Sequence, residues 1–147
     1  MKTIEIDKSL LMPGVYAIKC KQNNRYYIGS SQSIYNRMQQ HNGLLKRGLH
    51  FNRSLQKDFN AGYDFECSII QEFNNQEPQQ IMIAIEYLYI LELYKKGLQL
   101  YNTEVYPRKD QEPEKFIINC ILGRLRNLYD IEFNSYYFNY IESKKGD

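Results

Sequence analysis

The chain has only three cysteines, Cys20, Cys67 and Cys120, odd in number and far apart. That spacing excludes a disulfide framework and offers no zinc-ligand pattern. Each lies in an apolar pattern and is expected as a reduced core thiol. No apolar run has the length of a membrane span; the longest, Ile81 to Leu93, is broken by Glu86 and Glu92. The opening residues, MKTIEIDKSLLMPG, lack the long apolar core of a signal peptide, which points to the cytoplasm. There is no internal repeat and no low-complexity tract. Between Pro13 and Lys57 there is no acidic residue at all, against eight Lys or Arg. From Asp58 onward nine basic residues face fifteen acidic ones, so the small net charge of +2 hides a strong asymmetry. A purely cationic segment of that length suits either a phosphate-binding surface or a solvated basic face.

What is present describes one ordinary folded domain. The 147 residues are 43% hydrophobic and 24% charged, enough to bury a core. Gly14 to Lys21 and Arg25 to Gly29 read as two short strands across an Asn-containing loop, a β-hairpin. Ser33 can cap a helix over about 34–46, with Ile34, Met38, Leu44 and Leu45 as its apolar side and Gly48 at its end. A short helix follows over about 52–59, stopped at Ala61-Gly62. A strand over 65–73 places Phe65, Cys67 and Ile69 on one face. Pro78 opens a helix to about Lys96, with Gly97 as its stop. It is apolar nearly all round, which predicts a central, buried position. A short strand is expected through Leu100, Tyr101 and Asn102. Residues 108–114 read as a linker, and Glu114 to Tyr129 as an amphipathic helix before an aromatic stretch, Phe133 to Ile141.

Glu86 is the most informative single residue. Its helical neighbours Met82, Ile83, Tyr89 and Ile90 cannot neutralise it. A carboxylate on such a surface costs several kcal/mol unless it is paired, protonated or metal-bound. A salt bridge to a distant arginine would serve equally well. Arg37 and His41 lie four apart and share one helix face. Such a pair could grip a phosphate and shuttle a proton, or simply face solvent. Tyr16 and Tyr27 sit in the two hairpin strands, which means little alone in a chain with fourteen tyrosines.

Together these residues form a pattern. Gly14-Val15-Tyr16, ten residues, then Tyr27-Ile28-Gly29, is similar to the GIY-YIG signature with Val in the middle position. Arg37, His41, Glu86 and a Tyr-Asn pair ending at Asn102 follow in order. The chain thus resembles the GIY-YIG endonuclease family over roughly residues 12–104. Gly48-Leu49-His50, Leu55-Gln56 and Phe65 to Ile69 resemble the nuclease domain of phage intron homing endonucleases in particular.

The resemblance implies an α/β (α+β) fold, with a three-stranded antiparallel sheet between helices. It divides the chain into a nuclease domain, 1–106, and an extension, 107–147, for packing, dimerisation or DNA contact. It implies hydrolysis of phosphodiester bonds in double-stranded DNA with one divalent metal, Mg²⁺ or alternatively Mn²⁺, and no small-molecule cofactor. Glu86 would hold the metal and Arg37 would stabilise charge on the phosphate. Tyr16 would take the proton of the attacking water, assisted by His41, while Tyr27 and Asn102 position the groups. His50, Lys46, Arg47, Arg53 and Lys57 would contact DNA. Homing, restriction and repair roles stay open, as do a nickase, a homodimer and an inactive DNA-binding module of the same fold.

Overall fold

A computed structural model describes residues 3–74, 77–102 and 113–126. The hairpin forms as expected from β1 (Gly14–Cys20) and β2 (Tyr26–Ser31). Its turn places Asn24 at a φ of +57°, in the left-handed region that asparagine tolerates. β3 (Phe65–Glu72) pairs with the other side of β1, so the sheet is antiparallel in the order β2-β1-β3. A bulge beside Val15 and Tyr16 leaves Ile70 without its own partner on β1.

The helices also start where local chemistry puts them. Helix α1 (Ile34–Lys46) follows Ser33, whose side chain accepts from the Asn36 N–H, and α2 (Arg53–Asn60) follows Asn52, which accepts from the Leu55 N–H. Helices α1, α2 and α3 (Gln79–Lys95) are each followed within two residues by a glycine with positive φ, at Gly48, Gly62 and Gly97. Helix α4 spans Pro113–Arg126. Its expected continuation to Tyr129, the linker residues 108–112 and the aromatic stretch 133–141 lie outside the described residues.

Alternation along β1 creates two cores. Tyr16, Ile18 and Cys20 meet Ile34, Met38 and Leu45 of α1, Leu55 and Phe59 of α2, and Phe65. Val15 and Ala17 meet Ile28, then Met82, Ala84 and Ile90 of α3, and Ile117 and Ile121 of α4. The sheet is therefore covered on both faces, and Cys67 and Ile69 join Phe65 against the first core as their spacing predicts. All three cysteines are free, Cys20 fully buried and the others half-buried.

Two expectations need correction. Helix α3 is not central: it covers one face of the sheet, and only Met82, Ala84 and Ile90 are fully buried on it. Its apolar circumference meets the sheet on one side and α4 on another, which leaves Leu88 and Tyr94 exposed. The segment through Leu100 makes a single bridge to Tyr26 rather than a strand. Pairing ends there because a side chain takes over. Asn102 accepts the Ile28 N–H through Oδ1 and donates through Nδ2 to the Ile28 carbonyl, both at 2.8 Å.

Gly14 lies against the β3 backbone, where an added Cβ would come 2.4 Å from the Gln71 carbonyl oxygen. Backbone within a paired sheet cannot yield cheaply. Gly14→Ala is expected to cost about 1–3 kcal/mol by overpacking, read as a melting temperature several degrees lower by circular dichroism.

Candidate active site

The two signature strands meet across Gly29. Tyr16 and Gly29 are register partners, and the Tyr16 ring lies over Gly29 so closely that a Cβ there would fall 2.3 Å from the hydroxyl. The missing side chain is what lets the phenol cross β2, the edge strand of the sheet. Tyr16 is fully buried.

The Tyr16 hydroxyl is 2.7 Å from His41 Nε2, and His41 Nδ1 is 2.7 Å from His50 Nε2. His50 Nδ1 in turn accepts the Asn52 backbone N–H at 3.0 Å. Burial holds both imidazoles neutral, His41 at about 2 and His50 at about 4, with the Arg37 charge acting in the same direction. The direction of the chain then follows from its end. A backbone N–H can only donate, so His50 carries its proton on Nε2 and gives that hydrogen bond to His41 Nδ1. Neutral His41 therefore carries its proton on Nε2 and donates to the Tyr16 oxygen. The Tyr16 O–H is then not spent on His41. Burial and the neighbouring Tyr27 and Glu86 push the Tyr16 hydroxyl well above the ordinary phenol value, and the Arg37 charge works against them.

Glu86 comes from the opposite helix layer. It lines a cleft of about 510 Å³ with Ser30, Arg37, Gln79, Met82 and Arg124. A smaller cavity beside it is lined by Tyr27, Phe51 and Asn102. The Glu86 carboxylate accepts from Ser30 Oγ at 2.9 Å and makes no salt bridge among the described residues. Burial raises it to about 7, against hydrogen bonds from Ser30 and the charges of Arg37 and Arg124. The distant-arginine salt bridge is thus replaced by a half-buried carboxylate open to the cleft. No cluster of three or more His, Cys, Asp or Glu able to hold a metal exists among the described residues. A single carboxylate suits Mg²⁺, which keeps most of its waters and takes few protein ligands.

The remaining candidates separate. Arg37 is half-buried at the cleft, hydrogen-bonds Gln40 and lies 5.7 Å from the Phe51 ring. Its helix partner His41 is fully buried, so the pair does not face solvent together. The Tyr27 ring packs edge-on to His41 and His50. Asn102 is committed to the Ile28 backbone through both side-chain groups, so it positions β2. His50 cannot contact DNA as expected, because it is 1% exposed and both ring nitrogens are used internally. Lys46, Arg47, Arg53 and Lys57 are exposed and lie outside the cleft. Two cations of the basic segment are engaged elsewhere, Arg25 with Asp58 and Lys21 with Glu5 and Glu66. Ser30 and Arg124 went unnoticed in the sequence. Ser30 adjoins a signature residue, whereas nothing local marks Arg124.

The hydrogen-bond chain predicts imidazole tautomers. Long-range ¹H–¹⁵N spectra at neutral pH should show Nε2 protonated and Nδ1 bare in both His41 and His50. The opposite tautomer in either ring would break the assignment. For Glu86, the folded protein retains a proton between about pH 5 and 7 that the unfolded chain has released. Without metal, stability therefore falls as pH rises through that window. Glu86→Gln should raise the melting temperature over wild type more at about pH 8 than at about pH 5, measured in EDTA.

Comparison with known proteins agrees with this geometry. The GIY-YIG catalytic domain family matches residues 12–102. Intron-associated endonuclease 1 of Enterobacteria phage T4 is 37% identical over 84 residues, 56% of this chain but 34% of that protein. The chain thus spans about a third of that relative's length. The solved catalytic domain of homing endonuclease I-TevI superposes with a TM-score of 0.53 at 34% identity, over 59% of this chain and 94% of that one. A glutamate-to-alanine variant of the same domain gives 0.53 at 32% identity, over 68% and 96%. The matched segment takes in the whole sheet and helices α1 to α3, and the chain belongs to the GIY-YIG catalytic domain family.

Proposed function

We propose that this chain is a metal-dependent endonuclease that hydrolyses phosphodiester bonds in double-stranded DNA. The observation that carries the reading is the Glu86 carboxylate, half-buried and without a salt bridge among the described residues, in a cleft with Arg37 and beside the Tyr16–His41–His50 chain. Family membership supports the reaction class. Likeness to an intron-associated endonuclease supports a homing-type enzyme over a restriction or repair enzyme.

Each residue has a task that its surroundings suit. Glu86 and the Ser30 hydroxyl would hold one divalent ion, Mg²⁺ or Mn²⁺, which when bound supplies positive charge for the phosphate and an acidified water. Arg37 offers a guanidinium to the non-bridging oxygens, where negative charge builds as the water oxygen attacks phosphorus. Tyr16 would first give its own proton to solvent water and then, as phenolate, accept the attacking water's proton. The His41 Nε2–H stabilises the phenolate that accepts it, and positive charge in the cleft opposes the effect of burial. The P–O bond to the leaving strand then breaks, and the leaving oxygen takes a proton from solvent water. Tyr27 packs against both imidazoles and holds their planes. A single active site of this kind cuts one strand per encounter, so the chain acts as a nickase unless two copies combine.

Supercoiled plasmid incubated with protein and Mg²⁺ tests this directly. Nicked circles should appear before linear DNA, and EDTA should abolish both. Glu86→Ala should lower the rate by about 10²–10³-fold or more. DNA binding without any cutting across several substrates and metals would instead favour an inactive module.

A further inference from the structure

Helix α4 lies beyond the matched segment, yet one of its residues lines the cleft. Ile117, Ile121 and Arg124 stand at helical spacings of four and three, so they share the face turned towards α3. The two isoleucines are fully buried in the core with Met82 and Ile90. That burial fixes the helix in rotation as well as position. One turn further along, the same face leaves the apolar core and carries Arg124 over the cleft, beside Glu86, Met82 and Gln79. Arg124 is itself solvent-exposed and has no ion-pair partner among the described residues.

We infer that Arg124 is a second phosphate-binding arginine of the active site, supplied by the C-terminal extension and acting with Arg37 on the DNA backbone in the cleft. This rests on the nuclease reading above. A guanidinium on a flexible stem can form two hydrogen bonds to phosphate oxygens, a geometry lysine cannot reproduce. Its place is set by a core that the first 106 residues do not complete, which makes the extension part of the catalytic unit. The competing role is internal: Arg124 could serve only to offset the Glu86 charge.

Equilibrium binding separates the two. A fluorescent DNA duplex is titrated in EDTA across a salt series with the full chain, Arg124→Ala, Arg124→Lys and Lys115→Ala. Lys115 is an exposed cation nine residues away, on the opposite side of α4. Each lost phosphate contact should lower the slope of log affinity against log salt by about one. Arg124→Ala should show that loss with roughly tenfold weaker binding, while Arg124→Lys keeps the slope and Lys115→Ala keeps both. Plasmid nicking should fall with Arg124→Ala and recover only in part with Arg124→Lys. The same pair of slopes is then measured with Glu86→Gln in both proteins, where no carboxylate remains to be offset. Persistence of the loss supports phosphate binding; its disappearance overturns the inference. Unchanged slope and nicking in Arg124→Ala, with a wild type that cuts, also overturn it and leave the nuclease reading intact. A wild type that neither binds nor cuts duplex DNA removes both. Melting curves check that each variant is folded, which exposure of Arg124 and Lys115 leads one to expect.

Discussion

Four groups in a row are buried beneath the signature strands, and each must find a hydrogen-bond partner there or forfeit its solvation. Because the row ends on the Asn52 amide, which can only donate, its direction is imposed on His50, His41 and finally Tyr16. Much of the first helix layer serves to hold that end still. Asn52 caps α2 and donates to the Tyr101 carbonyl, while Gln56 accepts the His50 N–H and donates to the Leu45 carbonyl. The loop between α1 and α2 is thereby tied to both helices and to the segment after α3. The orientation of one phenol is a property of this whole arrangement.

The opposite layer contributes the charge. Glu86 reaches the same sheet edge from α3, so the site draws its hydroxyl from one face of the sheet and its carboxylate from the other. They can meet only at an edge strand, and only where that strand carries no side chain, at Gly29. An open edge is also a place where another strand could pair. Asn102 closes it at Ile28 by imitating a backbone partner. The edge is thus protected from pairing at Ile28 yet carries no side chain at Gly29.

The elements legible in the sequence were those with local causes. Ser33 and Asn52 as caps, and Gly48, Gly62 and Gly97 as stops, act within a turn of the helices they bound. The hairpin and β3 followed from short-range alternation. Segments whose state depends on distant partners were less legible. Helix α3 looked equally apolar on all sides, and only the sheet and α4 decide which side is covered. The stretch at Leu100 looked like a strand, but the amide of Asn102 does the pairing that its backbone would have done.

The candidate site divides in the same way. The resemblance to a known family brought Tyr16, Tyr27, Arg37, His41, Glu86 and Asn102 into one pattern, where each alone meant little. It could not distinguish a histidine that meets a ligand from one that holds another histidine, since burial is set by what packs above it. His50 is buried with both ring nitrogens hydrogen-bonded internally, where a DNA contact was expected. Arg124 carries no local mark, because its relevance comes entirely from the packing of two isoleucines against α3. The amino-acid sequence determined which groups are available and how each helix begins and ends, through interactions spanning a few residues. The tertiary structure alone decided which groups are desolvated, which way their protons point and which charges share a cleft, because those depend on contacts between residues far apart in the chain.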